Sequence, residues 1–163
     1  MTETATARII HIDLASPSIT LPALMQERHR AVSDLLFENS FALTAPTQAK
    51  GPYRLSLALD DLQIAIGVQC TASQHQQQIN LSASSLKGYF RDYNLICDNF
   101  YRVAKDCENQ RLEAIDMGRR ALHNEAAESL IEALENKVIL DKMTARRLFS
   151  LLYVLQLRHA PTL

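Results

Sequence analysis

The hydrophobic pattern of this chain changes its period at Ser84, and this change limits the possible folds more than any single motif does. Before it, apolar and polar residues alternate in runs at 53–60 and 62–69, which predicts a β-hairpin, and 77–83 predicts a third strand. Beyond it, apolar residues recur every three or four positions to about Lys105, which predicts a long amphipathic helix. The chain therefore combines a small sheet with helices that follow it.

The segment before these strands predicts one more strand and one helix. Residues 8–14 alternate well enough to extend the antiparallel meander to a fourth strand. Pro22 favours the start of an amphipathic helix that continues through Phe37, because proline is common at the first helical position. Residues 38–41 then end that helix, and 42–51, which contains proline and glycine, predicts a linker.

The C-terminal half predicts several shorter helices. One begins near Asn109 and runs through Ala121, and another spans 125–135. We expect a break at His123 and Asn124 between them, because asparagine is a frequent helix N-cap. The apolar residues that follow at 138–140 predict a short connector.

The last helix completes the predicted fold. Either Asp141 or Thr144 caps its start, and it runs through Arg158. The fold class is α+β: a small antiparallel sheet of three to four strands packed against a C-terminal layer of three to four helices, plus one N-terminal helix. We expect a single domain over 1–163, with 1–7 as a disordered tail.

Composition narrows the classes of function. Hydrophobic residues make up 47% and the formal net charge is −1, so the chain has no global field that would attract nucleic acid or anionic lipid. Cys70, Cys97 and Cys107 show no paired spacing, which predicts reduced thiols in the cytoplasm and neither a disulfide framework nor a metal site. The longest apolar run, 148–157, is too short to span a bilayer. We expect no metal, no cofactor and no nucleic-acid partner.

Charged residues are concentrated in the region that follows the long helix. Arg119 falls on one helix face with three apolar residues, so we expect it to be largely buried and paired, since an unpaired buried charge is very expensive. His123 is the nearby group able to exchange a proton near neutral pH. The candidate binding residues are Asp116, Arg119, Arg120, His123, Glu125, Arg146 and Arg147.

These residues allow two interpretations. In the structural one, Asp116 pairs with Arg120 at i,i+4, and Arg146 and Arg147 pair with the acidic helix over 125–135. In the functional one, adjacent arginines and a histidine bind a phosphate or carboxylate group, because guanidinium groups bind such anions through two parallel hydrogen bonds. The chain contains no phosphate-binding glycine loop and no serine elbow, which favours a protein without catalytic activity.

Six short segments carry a resemblance to a known family: ENSF (38–41), GPYRL (51–55), DYNLIC (92–97), AIDMGRR (114–120), LHNE (122–125) and TARRLF (144–149). With these segments the sequence resembles a family of small, uncharacterised alphaproteobacterial proteins, over roughly residues 8 to 158. The resemblance implies a small, stand-alone cytoplasmic bacterial protein with no assigned reaction, so it assigns no catalytic residues.

The function expected from the residues is therefore recognition of an acidic group. The first hypothesis is a non-catalytic interaction or regulatory protein that binds another protein through the helical surface around 116–147. The alternative is an enzyme or sensor for a small anionic ligand, with Arg119, Arg120 and His123 as its polar groups.

Overall fold

A computed structural model describes residues 6–15, 22–105 and 109–157. It confirms the α+β class, with one N-terminal helix and three helices after the sheet. In chain order the elements are β1 (Ile9–Leu14), α1 (Pro22–Phe37), β2 (Phe41–Leu43), β3 (Tyr53–Leu59), β4 (Gln63–Cys70), β5 (Gln76–Ser82), α2 (Ser84–Lys105), α3 (Asn109–Leu134), β6 (Val138–Leu140) and α4 (Lys142–Gln156).

The main sheet has four strands in the order β1-β3-β4-β5. The three-stranded antiparallel meander is confirmed, but the wholly antiparallel sheet is wrong, because β1 pairs with β3 in parallel. Parallel neighbours need a long crossover connection, and here the chain passes through α1 and β2 before it returns as β3. Alternation in a sequence indicates which face of a strand is buried, and it carries no information on strand direction.

The turn of the β3–β4 hairpin contains no glycine. Instead, one carboxylate oxygen of Asp60 accepts the backbone N–H groups of Leu62 and Gln63, both at 2.7 Å. These hydrogen bonds form an Asx-type turn, which aspartate favours. They also hold the pKa of Asp60 below its ordinary value.

The predicted linker over 42–51 is partly wrong, because Phe41–Leu43 forms β2. This strand pairs antiparallel with β6, which the sequence pattern suggested only as a connector. The two strands are far apart in the chain, so no local pattern reveals their pairing. The remaining outward N–H groups of β2 are also satisfied: Phe41 donates to the Ala7 carbonyl at 2.9 Å, and Leu43 donates to the Tyr53 hydroxyl at 3.2 Å.

The predicted break at His123 and Asn124 is wrong. α3 is a single helix from Asn109 to Leu134, and Asn124 lies inside it with its side-chain oxygen buried. The reason is tertiary: after the expected break, one face of the helix is fully buried, formed by Ala126, Ala127, Leu130 and Leu134. Burial of this face outweighs the preference of asparagine for a cap position.

α4 lies at the centre of the fold. Asp141 is its N-cap, as predicted, and accepts the Thr144 N–H at 2.8 Å. The apolar residues from Leu148 to Leu155 are buried, and α4 packs against α1 and α3. Together with the inner face of the sheet they form one hydrophobic core. α4 ends at Gln156, with Leu157 already extended, so the predicted continuation through Arg158 is wrong. Arg158 itself and residues 1–5 of the predicted tail lie outside the described residues.

Candidate functional site

The inward face of α3 changes from polar to apolar along the helix. Asp116, Arg119 and His123 follow one another at i, i+3 and i+7, so they share the face that carries the buried Ala126 and Leu130 further on. On this part of α3 the neighbours are α2 and α4, which supply rings and backbone carbonyls. A polar group therefore occupies the place where three helices meet.

Asp116 is the centre of the charged group. Its carboxylate accepts from the Arg119 guanidinium at 2.6 Å and pairs with Arg120 at 3.0 Å. The hydrogen bond from Arg119 is the main reason that the pKa of Asp116 lies below its ordinary value. The pairing predicted from helical spacing is thus confirmed, for both arginines.

Arg119 is paired, as predicted, but it is only partly buried and not largely buried. Its side chain is 36% exposed, and its guanidinium lies 5.6 Å from the centre of the Phe100 ring on α2. No described residue of α3 before Ala126 is buried, so this end of the helix forms a rim and not a core. Contact with an aromatic face and a carboxylate suits an arginine at such a rim.

His123 lies between α2 and α4. Its Nε2 is 2.8 Å from the Arg146 carbonyl oxygen and 3.1 Å from the Ser150 hydroxyl, and its ring contacts Tyr93 and Phe149. Burial lowers the pKa of His123, and the charges of Arg146 and Arg119 lower it further, against the opposing effect of the bond to the Arg146 carbonyl.

This geometry argues against activation of Ser150 as a nucleophile. A carbonyl oxygen can only accept, so the Nε2 proton must lie on the histidine and point to Arg146. The same nitrogen cannot then take the Ser150 proton, as a general base would have to. His123 therefore joins α3 to α4 and does not form a catalytic pair with Ser150.

Two residues outside the predicted set, Tyr93 and Cys97, also border the charged group. They lie one turn apart on α2, and the Arg119 charge favours their ionised forms while burial opposes them. Burial dominates and raises the pKa of both groups, so the Cys97 thiol stays protonated near neutral pH. In the sequence, only their i,i+4 spacing could have marked them as part of a site, and the same spacing is equally typical of residues that pack in a core. Nearby, the Tyr153 hydroxyl donates to the Asn94 side chain at 2.8 Å.

Arg146 and Arg147 point in directions about 100° apart on α4 and make no common contact in the described structure. Arg147 donates to the Glu38 carbonyl at the end of α1 and is separated from the charged group. Arg146 remains beside His123; its Nε is buried without a hydrogen-bond partner in the described structure. The predicted ion pairs of these two arginines with the acidic helix are not formed within the described residues; the nearby Lys142 pairs with Glu128 instead, at 3.5 Å.

Glu125 stands apart from the other predicted residues. Its side chain is exposed and makes no ion pair with any residue in the described ranges. The structure thus brings together five of the seven predicted residues, namely Asp116, Arg119, Arg120, His123 and Arg146. We call these five residues the arginine cluster.

A concave region lies on the outer face of the sheet, which none of the described helices covers. It is a depression of about 380 Å³ whose lining includes Asp13, Arg54, Gln69 and Gln78. Its floor depends on Gly67, because a Cβ there would lie 2.3 Å from the Ser56 hydroxyl oxygen. Sequence reasoning missed this region, since its residues come from four strands.

Two kinds of site are absent from residues 6–15, 22–105 and 109–157. Within those ranges, no three histidine, cysteine, aspartate or glutamate side chains are grouped as metal ligands would be. None of the helices described is both long and apolar enough to cross a membrane.

Fold and site define a small α+β protein with a mixed sheet, a central C-terminal helix and an arginine-rich polar group at a three-helix junction. The chain belongs to the uncharacterised protein family UPF0262, whose family model matches residues 6–158. This confirms the resemblance found in the sequence. A UPF0262 protein of Sphingopyxis alaskensis is 39% identical over 93% of this chain and 94% of its own length.

Other relatives match over similarly large shares of both chains. A UPF0262 protein of Ruegeria pomeroyi is 37% identical over 91% of this chain and 96% of its own length. A UPF0262 protein of Cereibacter sphaeroides is 40% identical over 90% of this chain and 94% of its own length. No solved structure matches the chain. The family has no established function, so any function must be argued from the site.

Proposed function

We propose that this protein is a non-catalytic binding protein that recognises an acidic segment of a partner protein through the arginine cluster. The observation that carries the proposal is the charge balance. Within the cluster a single carboxylate, Asp116, pairs with both Arg119 and Arg120. Arg146 has no carboxylate partner among the described residues, and Glu125 turns to solvent without pairing.

The protonation state of His123 also affects the charge of the cluster. Because burial lowers its pKa, the imidazole is neutral near pH 7, and it contributes no charge of its own. The cluster then carries three guanidinium charges against one carboxylate. Arg120 has a side chain that is 69% exposed, so part of this positive charge is accessible to a partner. Arginine is well suited to such contacts, since its planar group binds carboxylates through two bonds at once.

Two features support binding over chemistry. The His123 proton is directed to a backbone carbonyl and not to Ser150, so no activated hydroxyl is present at the cluster. The Cys97 thiol is held protonated by burial, which removes the nucleophilic form. A partner of moderate affinity and strong salt dependence fits a surface of this kind.

One observation favours a small anion as a second candidate ligand. The buried Nε of Arg146 has no acceptor in the described structure, and an unsatisfied buried donor is costly. A phosphate or carboxylate oxygen placed there would satisfy it. We further propose that the protein acts in the cytoplasm, because Cys70 and Cys97 are both free thiols, as is usual in a reducing compartment.

Titration of ¹⁵N-labelled protein tests the proposal. The probes are a hexaglutamate peptide and inorganic phosphate, each added at low ionic strength and again at high salt. We expect the peptide to shift backbone signals of α3 and α4 near the cluster, with an effect that weakens as salt is raised. Shifts caused by phosphate alone at the same residues would support the small-anion candidate instead.

Matched variants make the test specific. Arg120→Glu combined with Arg146→Glu should weaken peptide binding about tenfold or more, because it reverses two of the three cluster charges. Arg30→Glu is the control: Arg30 lies on α1, is 70% exposed and is far from the cluster in the chain. Circular dichroism melts should show that all variants fold. Equal peptide binding by the double variant, or no shift with either probe, would overturn the proposal.

A further inference from the structure

The outer edge of β5 carries unpaired main-chain groups. The hydrogen bond from Cys70 N to His75 O, at 3.0 Å, sets the alternation of the β4–β5 ladder. By that alternation, Gln76, Gln78 and Asn80 direct their N–H and C=O groups away from β4. None of these groups has a hydrogen-bond partner in the described part of the chain.

β5 also lacks the features that usually protect an edge strand. Its sequence, QQQINLS, contains no charged residue and no proline, and its register with β4 is regular over the whole strand. Natural proteins protect exposed edges with charges, prolines or bulges, because a bare edge pairs readily with another strand. The unprotected edge of β5 can therefore form hydrogen bonds with a further strand.

The opposite edge of the same sheet provides the comparison. β1 has a register shift between Ile9 and His11, and it carries the Asp13 carboxylate, which lies 2.8 Å from the His11 ring. The Asn39 side chain binds both main-chain groups of Ile9, accepting its N–H at 2.7 Å and donating to its C=O at 3.0 Å. The sheet is thus protected at β1 and left open at β5.

We propose that β5 pairs antiparallel with β5 of a second copy of this chain. The strand complements itself: it has no charge to repel its copy, and its outward residues are amides and a serine, each able to donate and accept. A two-fold axis at Ile79 would place Gln78 opposite Asn80 of the partner subunit. Within one chain these two side chains already form an amide hydrogen bond of 2.9 Å, a bond that the pairing would re-form between copies.

This pairing joins two four-stranded sheets into one of eight strands. Two-fold dimers are the commonest closed assemblies, because the same patch serves on both subunits. The buried Ile79 and Leu81 lie on the inner face of β5, so the two cores meet beneath the joined strands. The proposal does not depend on the arginine cluster, which lies on the helices.

Mass and hydrogen exchange test the pairing directly. We expect light scattering and sedimentation of the full chain to give twice 18.3 kDa. Amide exchange at Gln76, Gln78 and Asn80 should slow as protein concentration rises, since these N–H groups are unpaired in one chain. A monomer at all concentrations up to about 1 mM, where even weak pairs associate, would overturn the proposal. Fast exchange of these three amides in a dimer would do the same.

Charge variants locate the interface. Gln78→Lys with Asn80→Lys places like charges opposite each other and should weaken dimerisation about tenfold or more. Gln69→Lys is the control, because Gln69 is exposed on the same face but lies on the inner strand β4. Mixing the double-lysine chain with a Gln78→Glu, Asn80→Glu chain should restore a mixed dimer. A dimer that the lysine pair leaves unchanged, or no recovery on mixing, would refute pairing through β5.

Discussion

Removal of one hydroxyl tests how the main sheet is joined to the β2–β6 ribbon. Tyr53 is 1% exposed; its hydroxyl donates to the Ala49 carbonyl at 2.7 Å and accepts the Leu43 N–H at 3.2 Å. Leu43 is itself only 3% exposed, so water does not readily replace the hydroxyl. Tyr53→Phe keeps the ring and its edge contact with Phe41. It removes only the two hydrogen bonds.

The magnitude follows from these contacts. An orphaned buried N–H costs about 1–3 kcal/mol, and the lost bond to the carbonyl of the partly buried Ala49 costs about 1 kcal/mol or less. We therefore expect Tyr53→Phe to lower the free energy of unfolding by about 2–3 kcal/mol. For a chain of 163 residues this corresponds to a Tm lower by roughly 5–10 °C.

Urea unfolding followed by circular dichroism measures the effect. The midpoint should fall while the slope stays unchanged, because the surface exposed on unfolding is the same. Tyr101→Phe is the matched control: Tyr101 is 42% exposed and its hydroxyl makes no hydrogen bond within the described structure. We expect that variant to stay within about 0.5 kcal/mol of the parent. A Tyr53→Phe chain as stable as the Tyr101→Phe control would refute the role assigned to this hydroxyl.

Three further predictions concern the helices. Because the pKa of His123 is lowered in the folded state, its contribution to stability is full above its unfolded pKa of about 6.5 and is lost as pH falls through the lower folded value. The urea midpoint of His123→Gln should therefore fall less between pH 7.5 and 5 than that of the parent chain, and an equal fall in both chains would contradict this. Gly118→Ala should be neutral or stabilise by up to about 1 kcal/mol, since the added methyl meets only the flexible Ile96 terminus at 3.2 Å, and a clear loss in thermal melts would show that the glycine is required. Asp141→Ala should cost about 1 kcal/mol in the same melts by removing the cap on Thr144 N, whereas Asp141→Asn should retain most of it.

Much of the arginine cluster was predictable because its contacts are local. Asp116, Arg119 and Arg120 lie within one helical turn, where spacing alone brings side chains into reach. The sequence did not determine which neighbours the side chains on α4 would contact. Arg146 lies beside His123 while Arg147 reaches the end of α1, and this division depends on how α4 sits between its neighbours.

The positions of strands and helices could also be predicted where buried and exposed residues recur with a fixed period. The alternation in β3, β4 and β5 and the long apolar face of α2 reflect the burial of one side of each element. The failed break in α3 shows the limit of such reasoning. A cap preference amounts to about 1 kcal/mol, whereas burying a single leucine contributes about 2 kcal/mol or more.

By itself, then, the sequence determined the extents of most elements, the two candidate caps of α4 and the ion pair of Asp116 with Arg120, because each depends on residues within about four positions. Tertiary structure alone decided the parallel direction of β1, the pairing of β2 with β6 and the bond from His123 to the Arg146 carbonyl. These contacts join segments far apart in the chain. Their stability comes from the packing of the whole core, which no local pattern encodes.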